Sequence, residues 1–434
     1  MRVKTNKPTY SLIIMRQILN ELRQQPLVSL ISIVGTALSI FLIMLVVMLQ
    51  QVKVADFAPE SNRSRMLHWK FASIRHTSWG EDASSNGPMS SSTIKALFGD
   101  LESAEAVTAY KSFCDVSSAA LPGETPIAVK MKATDANFFR VFDLDFIAGE
   151  PFSQASFESS LPEIVISESV ARSVFKTTDV VGREMLLNLV PFKVTGVVKD
   201  VSRLADKAYA EVWVPYTTAG VDRNNWNNGH MGLLSATILA RHKNDFPEIR
   251  HELDRRLAQI NTTMKAADGF EFISHERPYD QETDVATLYA NLNPDMAKVR
   301  RSSLIVYAIL LIVPAINLSS MTRSRMRRRI AEIGVRRAFG ATVSRITLTL
   351  IYENLIVTLV AGAVGLLLCV VFSWLCGSYL FSVSDSRISA EMILQWSTFG
   401  LAMMFCFILN LLCSALPAWK SARTGIVESL SGTR

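Results

Sequence analysis

Four long uncharged stretches divide this chain. Residues 27–49 hold 23 residues without a charge, 302–322 hold 21, 354–384 hold 31 and 392–419 hold 28. At about 1.5 Å per helical residue, about 20 residues cross a hydrocarbon core of about 30 Å, so each stretch predicts a transmembrane helix. Pro314 lies inside the second. It removes one backbone hydrogen bond and predicts a bend that neighbouring helices tolerate in a membrane. Ahead of the first stretch, Leu12, Ile13, Met15, Ile18, Leu19 and Leu22 fall largely on one helical face, with Arg16 and Arg23 away from it. That is the pattern of an amphipathic helix lying on a membrane surface. The first stretch is longer than the about 7 to 15 apolar residues of a signal-peptide core, so it predicts an uncleaved anchor.

Between the first and second stretches, residues 54–300 are long enough for one or two globular domains. Alternating or β-branched runs bounded by Pro, Gly or Asp predict strands at 126–134, 163–167, 192–198 and 211–215. Ile249, Leu253, Leu257 and Ile260 recur at helical spacing and predict a helix over 246–264. Residues 77–92, rich in Ser, Gly and Asn, predict a loop. Val285, Leu288, Tyr289 and Leu292 fit one face of a helix, which predicts a stalk helix over 274–303 with a break near Asn293 and Pro294. The fold class that results is an α-helical membrane protein with four transmembrane helices and a large α+β domain inserted between helices 1 and 2.

Charge orients this arrangement. Arg2, Lys4, Lys7, Arg16 and Arg23 precede the first stretch against Glu21 alone. Between the second and third stand Arg323, Arg325, Arg327, Arg328, Arg329, Arg336, Arg337 and Arg345 against Glu332. After the fourth come Lys420, Arg423 and Arg434 against Glu428. The positive-inside rule makes all three segments cytoplasmic. Residues 54–300 carry 26 Lys and Arg against 33 Asp and Glu, a net of −7 within a chain of net +6, and so lie outside. Flanked by two spans, the arginine run is a membrane-surface feature, and no nucleic-acid partner is expected.

Candidate chemistry is thin. All six histidines, His68, His76, His230, His242, His251 and His275, lie in 54–300. His251-Glu252 opens like a zinc-protease motif, but Arg255 stands where the second histidine belongs. Ser92 and Lys95 form an S-x-x-K with neither S-D-N nor K-T-G after it. No G-x-x-x-x-G-K-[ST] phosphate loop occurs in these 434 residues, so any ATP chemistry belongs to another subunit. We therefore expect no catalytic residue, no metal and no cofactor on this chain. Cys369, Cys376, Cys406 and Cys413 lie in the predicted spans, and Cys114 alone lies in 54–300, which leaves no disulfide within that region. Gly35 with Ser39 and Ala361 with Gly365 are small-x-x-x-small pairs, a spacing too common in membrane helices to assign subunit contacts. Glu353, at the margin of the third stretch, is almost the only ionisable residue in the spans, and a polar pathway needs several.

Between the arginines and the third stretch, Ile333, Arg336, Arg337 and Gly340 sit at helix-neighbour spacings. Gly334 permits close approach of another backbone, and Gly340 can end a helix in the left-handed conformation. The whole layout resembles the permease subunits of the macrolide-exporter and FtsX type of ABC transporter. Arg16 begins RQILNELRQQPLVSLISIVGTALSI (16–40), which is similar to the family's leading helix and first span. AVKMKATDANFFRVFDLDFIAGEPF (128–152), IVISESVARSVF (164–175) and FKVTGVVKDV (192–201) resemble blocks of its periplasmic core domain. EIGVRRAFGAT (332–342) resembles its cytoplasmic motif and LPAWKSARTGIVESL (416–430) its C-terminal end. Ala331, Phe339 and Ile426 depart from the residues common there.

The resemblance implies a multi-pass protein of the bacterial inner membrane with both termini cytoplasmic. Its parts would be an amphipathic leading helix (1–26), a first span (27–53), a MacB-like periplasmic core domain (54–273), the stalk helix (274–303) and an FtsX-like permease domain (304–434). It implies a P-loop ABC ATPase subunit carrying ATP and Mg, docked on a coupling helix of Glu332, Ile333, Gly334, Arg336, Arg337, Ala338, Phe339, Gly340 and Ala341. Arg323, Arg325, Arg327, Arg328 and Arg329 would hold anionic lipid. A second permease, as homodimer or sister chain, and a periplasmic adaptor with an outer-membrane channel complete the implied partners. The implied function is mechanotransmission that drives export or extraction of a peptide, drug-like molecule or lipoprotein. The alternative is a non-transporting regulator that relays ATPase motion to a periplasmic cell-envelope enzyme.

Overall fold

The computed structural model describes residues 26–80, 83–309, 312, 335, 339–340, 342–380, 400, 404 and 407–408. Two compact units emerge, one containing Gln51–Val299 and the other most of two long helices.

The first unit is built on β-sheet. Its strands are β1 (Met66–Trp69), β2 (Ala72–His76), β3 (Ser85–Gly87), β4 (Ala106–Lys111), β5 (Asp115–Ala120), β6 (Ile127–Thr134), β7 (Phe146–Gly149), β8 (Glu163–Ser167), β9 (Glu184–Leu187), β10 (Val190–Val198), β11 (Val212–Pro215), β12 (Leu234–Leu239), β13 (Phe270–Ile273) and β14 (Tyr279–Asp280). Six strands close into a ring in the order β11, β8, β10, β9, β5, β6, because β11 pairs with β6 as well as with β8. Closure leaves no free edge among those six. From β6 the sheet continues through β4, β12, β1 and β14.

Apolar alternation explains the ring. Ile164, Ile166, Val194, Val197, Val212 and Val214 are all fully buried. The parallel β8/β10 pair sets Ile164 beside Val194 and Ile166 beside Val197. At the ring's rim, Gly149 has φ +69, and a Cβ there would lie 2.1 Å from the Thr195 carbonyl oxygen. Only glycine lets β7 reach β10 at that point.

The helices α2 (Ser91–Phe98), α3 (Phe138–Val141), α4 (Gln154–Glu158), α5 (Glu168–Phe175), α6 (Phe246–Ala267) and α7 (Gln281–Ala286) follow α1 (Pro26–Gln51) in the chain. The small sheet of β13, β2 and β3 rests beside α6, whose Ile249, Leu253, Leu257 and Met264 are buried. Arg256 on α6 donates to the Leu97 carbonyl (3.4 Å), the Gly99 carbonyl and the Asp100 carbonyl (2.8 Å). It thus satisfies carbonyls at the end of α2 that have no partner within their own helix.

The predicted strands at 126–134, 163–167, 192–198 and 211–215 correspond to β6, β8, β10 and β11, with β10 starting two residues earlier at Val190. The predicted helix corresponds to α6 and runs three residues further, to Ala267. Two expectations are corrected. Residues 77–92 are not all loop, since β3 pairs with β2 through backbone groups that need no apolar side chain. Residues 274–303 are not one stalk helix. β14 pairs with β1 there, α7 ends at Ala286, and residues 287–295 are not helical. Asp280 Oδ1 accepts from the Thr283 amide at 2.9 Å, capping α7. Asp295 Oδ1 accepts from the Lys298 amide at 2.9 Å, capping a second helix over 296–309. Two caps divide what the periodicity joined, and the break does take in Asn293 and Pro294 but is wider than expected, beginning at Thr287.

In the second unit α8 (Val343–Leu380) packs on α1. Ala361, Gly365 and Cys369 form the buried stripe of α8. A Cβ on Gly365 would stand 2.9 Å from the Ala37 carbonyl oxygen of α1 and 3.1 Å from Ile40 Cγ2, and Phe41 meets Phe372 edge-on at 5.3 Å. The Ala361 and Gly365 pair is used within the chain, where a missing side chain lets two helices approach closely. Counted over the described residues alone, no helix is long and apolar enough to cross a membrane, and the number of spans stays a reading of the sequence.

Candidate functional site

The chain enters the first unit just after α1 and leaves it through α7, and both connections meet one buried polar network. The inbound segment turns through Arg63, which is 2% exposed, and Glu60, which is 1% exposed. Arg63 Nε donates to Glu60 Oε2 at 2.6 Å, and its guanidinium also donates to the carbonyls of Val52 (2.9 Å), Ala55 (3.3 Å) and Leu204 (2.8 Å). Its planar face lies over the Phe57 ring at 4.0 Å. Glu60 Oε1 accepts from the amides of Lys207 (2.9 Å) and Ala208 (3.0 Å). One buried ion pair therefore fastens 52–63 to 204–208, with its remaining donors and acceptors satisfied, as a buried pair requires.

The outbound segment is fastened to the same place. Lys207 Nζ stands 2.8 Å from Asp284 on α7, both nearly buried, and Gln281 Nε2 donates to the Lys53 carbonyl at 2.8 Å. Burial is the largest influence on Asp284 and pushes it up, but the charge and hydrogen bond of Lys207, together with other nearby basic groups, jointly outweigh it and hold the carboxyl below its ordinary range. Burial opposes charge on Lys207 too, and Asp284 with Glu60 more than restores it, leaving the ammonium raised.

Beside them, His68 of β1 sits 3.1 Å from Thr237 Oγ1, which in turn meets Tyr110 Oη at 2.9 Å. Burial first, and the Lys207 charge second, push His68 down to about 3, so the imidazole is neutral. His68, Tyr110, Lys207 and Asp284 line a cavity of about 20 Å³, room for about one water molecule. Lys132 of β6 is also buried, donating to the carbonyls of Asp206 (3.2 Å) and Lys207 (2.6 Å), and burial lowers it. These residues hold and position. The hydroxyl–imidazole contact of Thr237 with His68 is fully buried.

A larger cleft of about 620 Å³ opens between α2, α3 and α4, with Ile94, Val107, Phe157 and Tyr216 among its apolar lining and Asp135 at its wall. Asp135 accepts from Thr108 Oγ1 (2.7 Å) and from the amides of Ala109 (2.7 Å) and Phe138 (3.0 Å). Burial nonetheless raises it to about 6. The S-x-x-K residues border the same cleft and do not meet there. Ser90 caps α2 by accepting from the Thr93 amide at 3.2 Å, and Ser92 donates to the Gly229 carbonyl at 3.3 Å. His251 lies exposed on α6.

Of the expected coupling residues, Phe339 and Gly340 are described, together with Val335 between them and the arginine run. The Phe339 amide donates to the Val335 carbonyl at 3.1 Å, one helical turn back. Gly340 has φ +88 with open space around it, as a helix-ending glycine does, and Phe339 is 89% exposed. Glu332, Ile333, Gly334, Arg336, Arg337, Ala338 and Ala341 lie outside the described residues, as do Arg323, Arg325, Arg327, Arg328 and Arg329. Sequence reasoning missed the junction. Its outward sign was Glu60 and Arg63 three residues apart, a short way past the first uncharged stretch, a pair that reads as solvated surface until the fold encloses it.

Residues 29–256 match the family described as MacB-like periplasmic core domain, over half of the chain. The chain belongs to that family. Residues 304–426 match the FtsX-like permease C-terminal family, so this is an ABC-transporter permease of the MacB and FtsX type, with an α+β periplasmic core domain. Among curated relatives, the macrolide export ATP-binding/permease protein MacB of Escherichia coli K12 is 24% identical over 311 residues, covering 70% of this chain and 44% of that protein. MacB 2 of Escherichia coli O1:K1 is 25% identical over 312 residues, covering 71% and 44%. The chain thus spans less than half the length of these relatives. Among solved structures, the extracellular domain of the noncanonic ABC-type transporter YknZ from Gram-positive bacteria is 15% identical with a TM-score of 0.33, covering 47% of this chain and 99% of that one. The periplasmic region of MacB from Actinobacillus actinomycetemcomitans is 16% identical with a TM-score of 0.32, covering 50% and 91%.

Proposed function

We propose that this permease works as a mechanical relay. A P-loop ATPase subunit closes on ATP at the cytoplasmic face, the coupling residues 332–341 receive that motion, and the spans deliver it to the periplasmic domain. The domain then drives export or extraction of a peptide, drug-like molecule or lipoprotein taken from the periplasm or outer leaflet, with nothing threaded through the spans. The chain pairs with a second permease, and both termini lie in the cytoplasm. The observation that carries this reading is the buried junction. Both connections of the periplasmic unit are bound to the same residues, Lys207 above all, so displacement of either one moves the sheet and does not dissipate in a loose linker. The absence of a phosphate loop from these residues and the solvent-facing ring of Phe339 support it at the other end.

The test is site-specific cross-linking in intact cells, with a photoreactive phenylalanine analogue incorporated at Phe339 of the full chain. The expected adduct contains an ATP-binding-cassette protein, identified by mass spectrometry. Adducts with lipid alone, at wild-type membrane levels of the permease, would refute the docking role.

A further inference from the structure

Residues 287–294, TLYANLNP, carry no charge, whereas the chain on either side is dense with it, from Glu276 to Asp284 before and from Asp295 to Arg301 after. The segment is not helical. The Ala290 carbonyl ties it to β2, accepting from Ser73 Oγ at 3.0 Å, and accepts from Arg277 Nη2 as well. Its apolar side chains turn away from that anchor. Leu288 is 85% exposed, Tyr289 64% and Leu292 57%. So much exposed apolar surface on so short a segment calls for an occupant.

Two observations say what it is. First, the Gln281 side chain grips the Lys53 carbonyl, two residues beyond the end of α1, which ties α7 to the point where the first span finishes. Second, four residues after Leu292 the helix over 296–309 begins, and its Leu304, Ile305, Val306 and Ile309 are exposed and apolar. Along the chain, the loop therefore lies between α7, which is tied to the residues just after α1, and a helix that the proposed topology carries into the bilayer. An aliphatic–aromatic–aliphatic group followed within a few residues by Lys298 and Arg301 is the composition of a headgroup-layer anchor, the tyrosine ring straddling the interface and the basic residues reaching phosphate.

We propose that residues 287–294 form an interfacial loop that dips Leu288, Tyr289 and Leu292 into the outer-leaflet surface of the lipid bilayer. The loop braces the periplasmic unit against the membrane, so that motion arriving through the spans rotates the sheet about a fixed footing. This rests on the reading that α1 and the 296–309 helix enter the membrane, and the experiment separates the two.

The full chain, with Cys114, Cys369, Cys376, Cys406 and Cys413 replaced by alanine, is given single cysteines by Leu288→Cys, Leu292→Cys, Leu304→Cys or Leu189→Cys and labelled with an environment-sensitive dye. It is reconstituted into phosphatidylcholine vesicles with or without lipid bearing a nitroxide high on the acyl chain. Loss of dye fluorescence is expected at Leu288→Cys and Leu292→Cys, with none at Leu189→Cys, which is 84% exposed at the β9–β10 turn. Quenching at Leu304→Cys alone overturns the interfacial loop and leaves the membrane topology standing. No quenching at Leu304→Cys overturns the topology itself. Leu288→Cys that resists quenching and cross-links to a second copy through a bifunctional maleimide assigns the surface to a subunit interface and ends the proposal.

Discussion

Replacing Arg63 with methionine tests the junction most directly. The stem of methionine fills much of the same volume, but four donations disappear, to Glu60 Oε2 and to the carbonyls of Val52, Ala55 and Leu204. Glu60, 1% exposed, keeps its two amide donors while losing its counter-ion. Removing one partner of a buried pair costs about 3–5 kcal/mol, because the other charge is left without compensation. In a domain of this size each kcal/mol lowers the unfolding temperature by about 2–4 °C, so a drop of about 6–20 °C is expected. The assay is thermal unfolding of the full chain in lipid nanodiscs, followed by tryptophan emission. Trp213, one of seven tryptophans, is fully buried and donates to the Ala208 carbonyl beside the network. Combining Arg63→Met with Glu60→Gln removes both charges and keeps the acceptor for Lys207 and Ala208, and should recover part of the loss. A single variant that melts within about 2 °C of the parent, or a double variant worse than the sum of its parts, would refute the account of Arg63 as the fastener.

Three further outcomes are expected. His68 is neutral in the folded state down to about pH 3 and takes a proton near 6.5 when unfolded, so its contribution is present above pH 6.5 and is lost as pH falls toward 3, at up to about 1.4 kcal/mol per pH unit. His68→Gln should flatten the acid limb of a melting-temperature series over that window, and an unchanged slope would count against it. Gly149→Ala should cost several-fold more stability than Gly123→Ala in chemical unfolding: both glycines have positive φ, but only at Gly149 does the new Cβ strike backbone, at 2.1 Å from Thr195 O. Equal costs would mean that backbone strain alone matters. Gly365→Leu should part α8 from α1, seen as loss of a cross-link engineered between Phe41→Cys and Phe372→Cys, whose parent rings lie 5.3 Å apart; a cross-link of parental yield would show that the close approach is dispensable.

What the sequence disclosed follows from what local pattern can encode. Val194, Val197, Ile164 and Ile166 announce their strands because half-buried and fully buried strands need β-branched apolar residues, and Leu253 with Leu257 announces α6 by spacing alone. β3 and β14 do not announce themselves. Ser85–Gly87 and Tyr279–Asp280 are strands only because β2 and β1 present free backbone beside them, which is a fact of tertiary structure. The stalk went wrong for a related reason. Val285, Leu288, Tyr289 and Leu292 keep helical spacing, yet Asp280 and Asp295 each cap a helix start, and two starts within fifteen positions leave no room for one continuous helix. The junction was hidden most completely. Glu60 with Arg63, Lys132, Lys207 and Asp284 are charged residues in four different places along the chain, and nothing short of the fold says that they share one interior.

That interior also reinforces a very short strand, β14, at the point where the outbound chain leaves the sheet. The inbound strand β1 and the outbound strand β14 are antiparallel neighbours, joined through only Leu67 with Asp280 and His68 with Tyr279. Two residue pairs contribute a few hydrogen bonds of about 1 kcal/mol each, too little to carry a load that would otherwise peel β14 from the edge of the sheet. The Lys207–Asp284 pair and the Gln281–Lys53 bond act in parallel with that ladder, and Glu60 ties Lys207 back to Arg63 and so to the inbound chain. Pulling on the outbound segment must then break a buried ion pair before it can slip a strand. Asp284→Asn leaves the buried Lys207 ammonium without that counter-ion and should lower the melting temperature of the full chain in nanodiscs, as Arg63→Met does; an unchanged melting temperature would refute the parallel fastening.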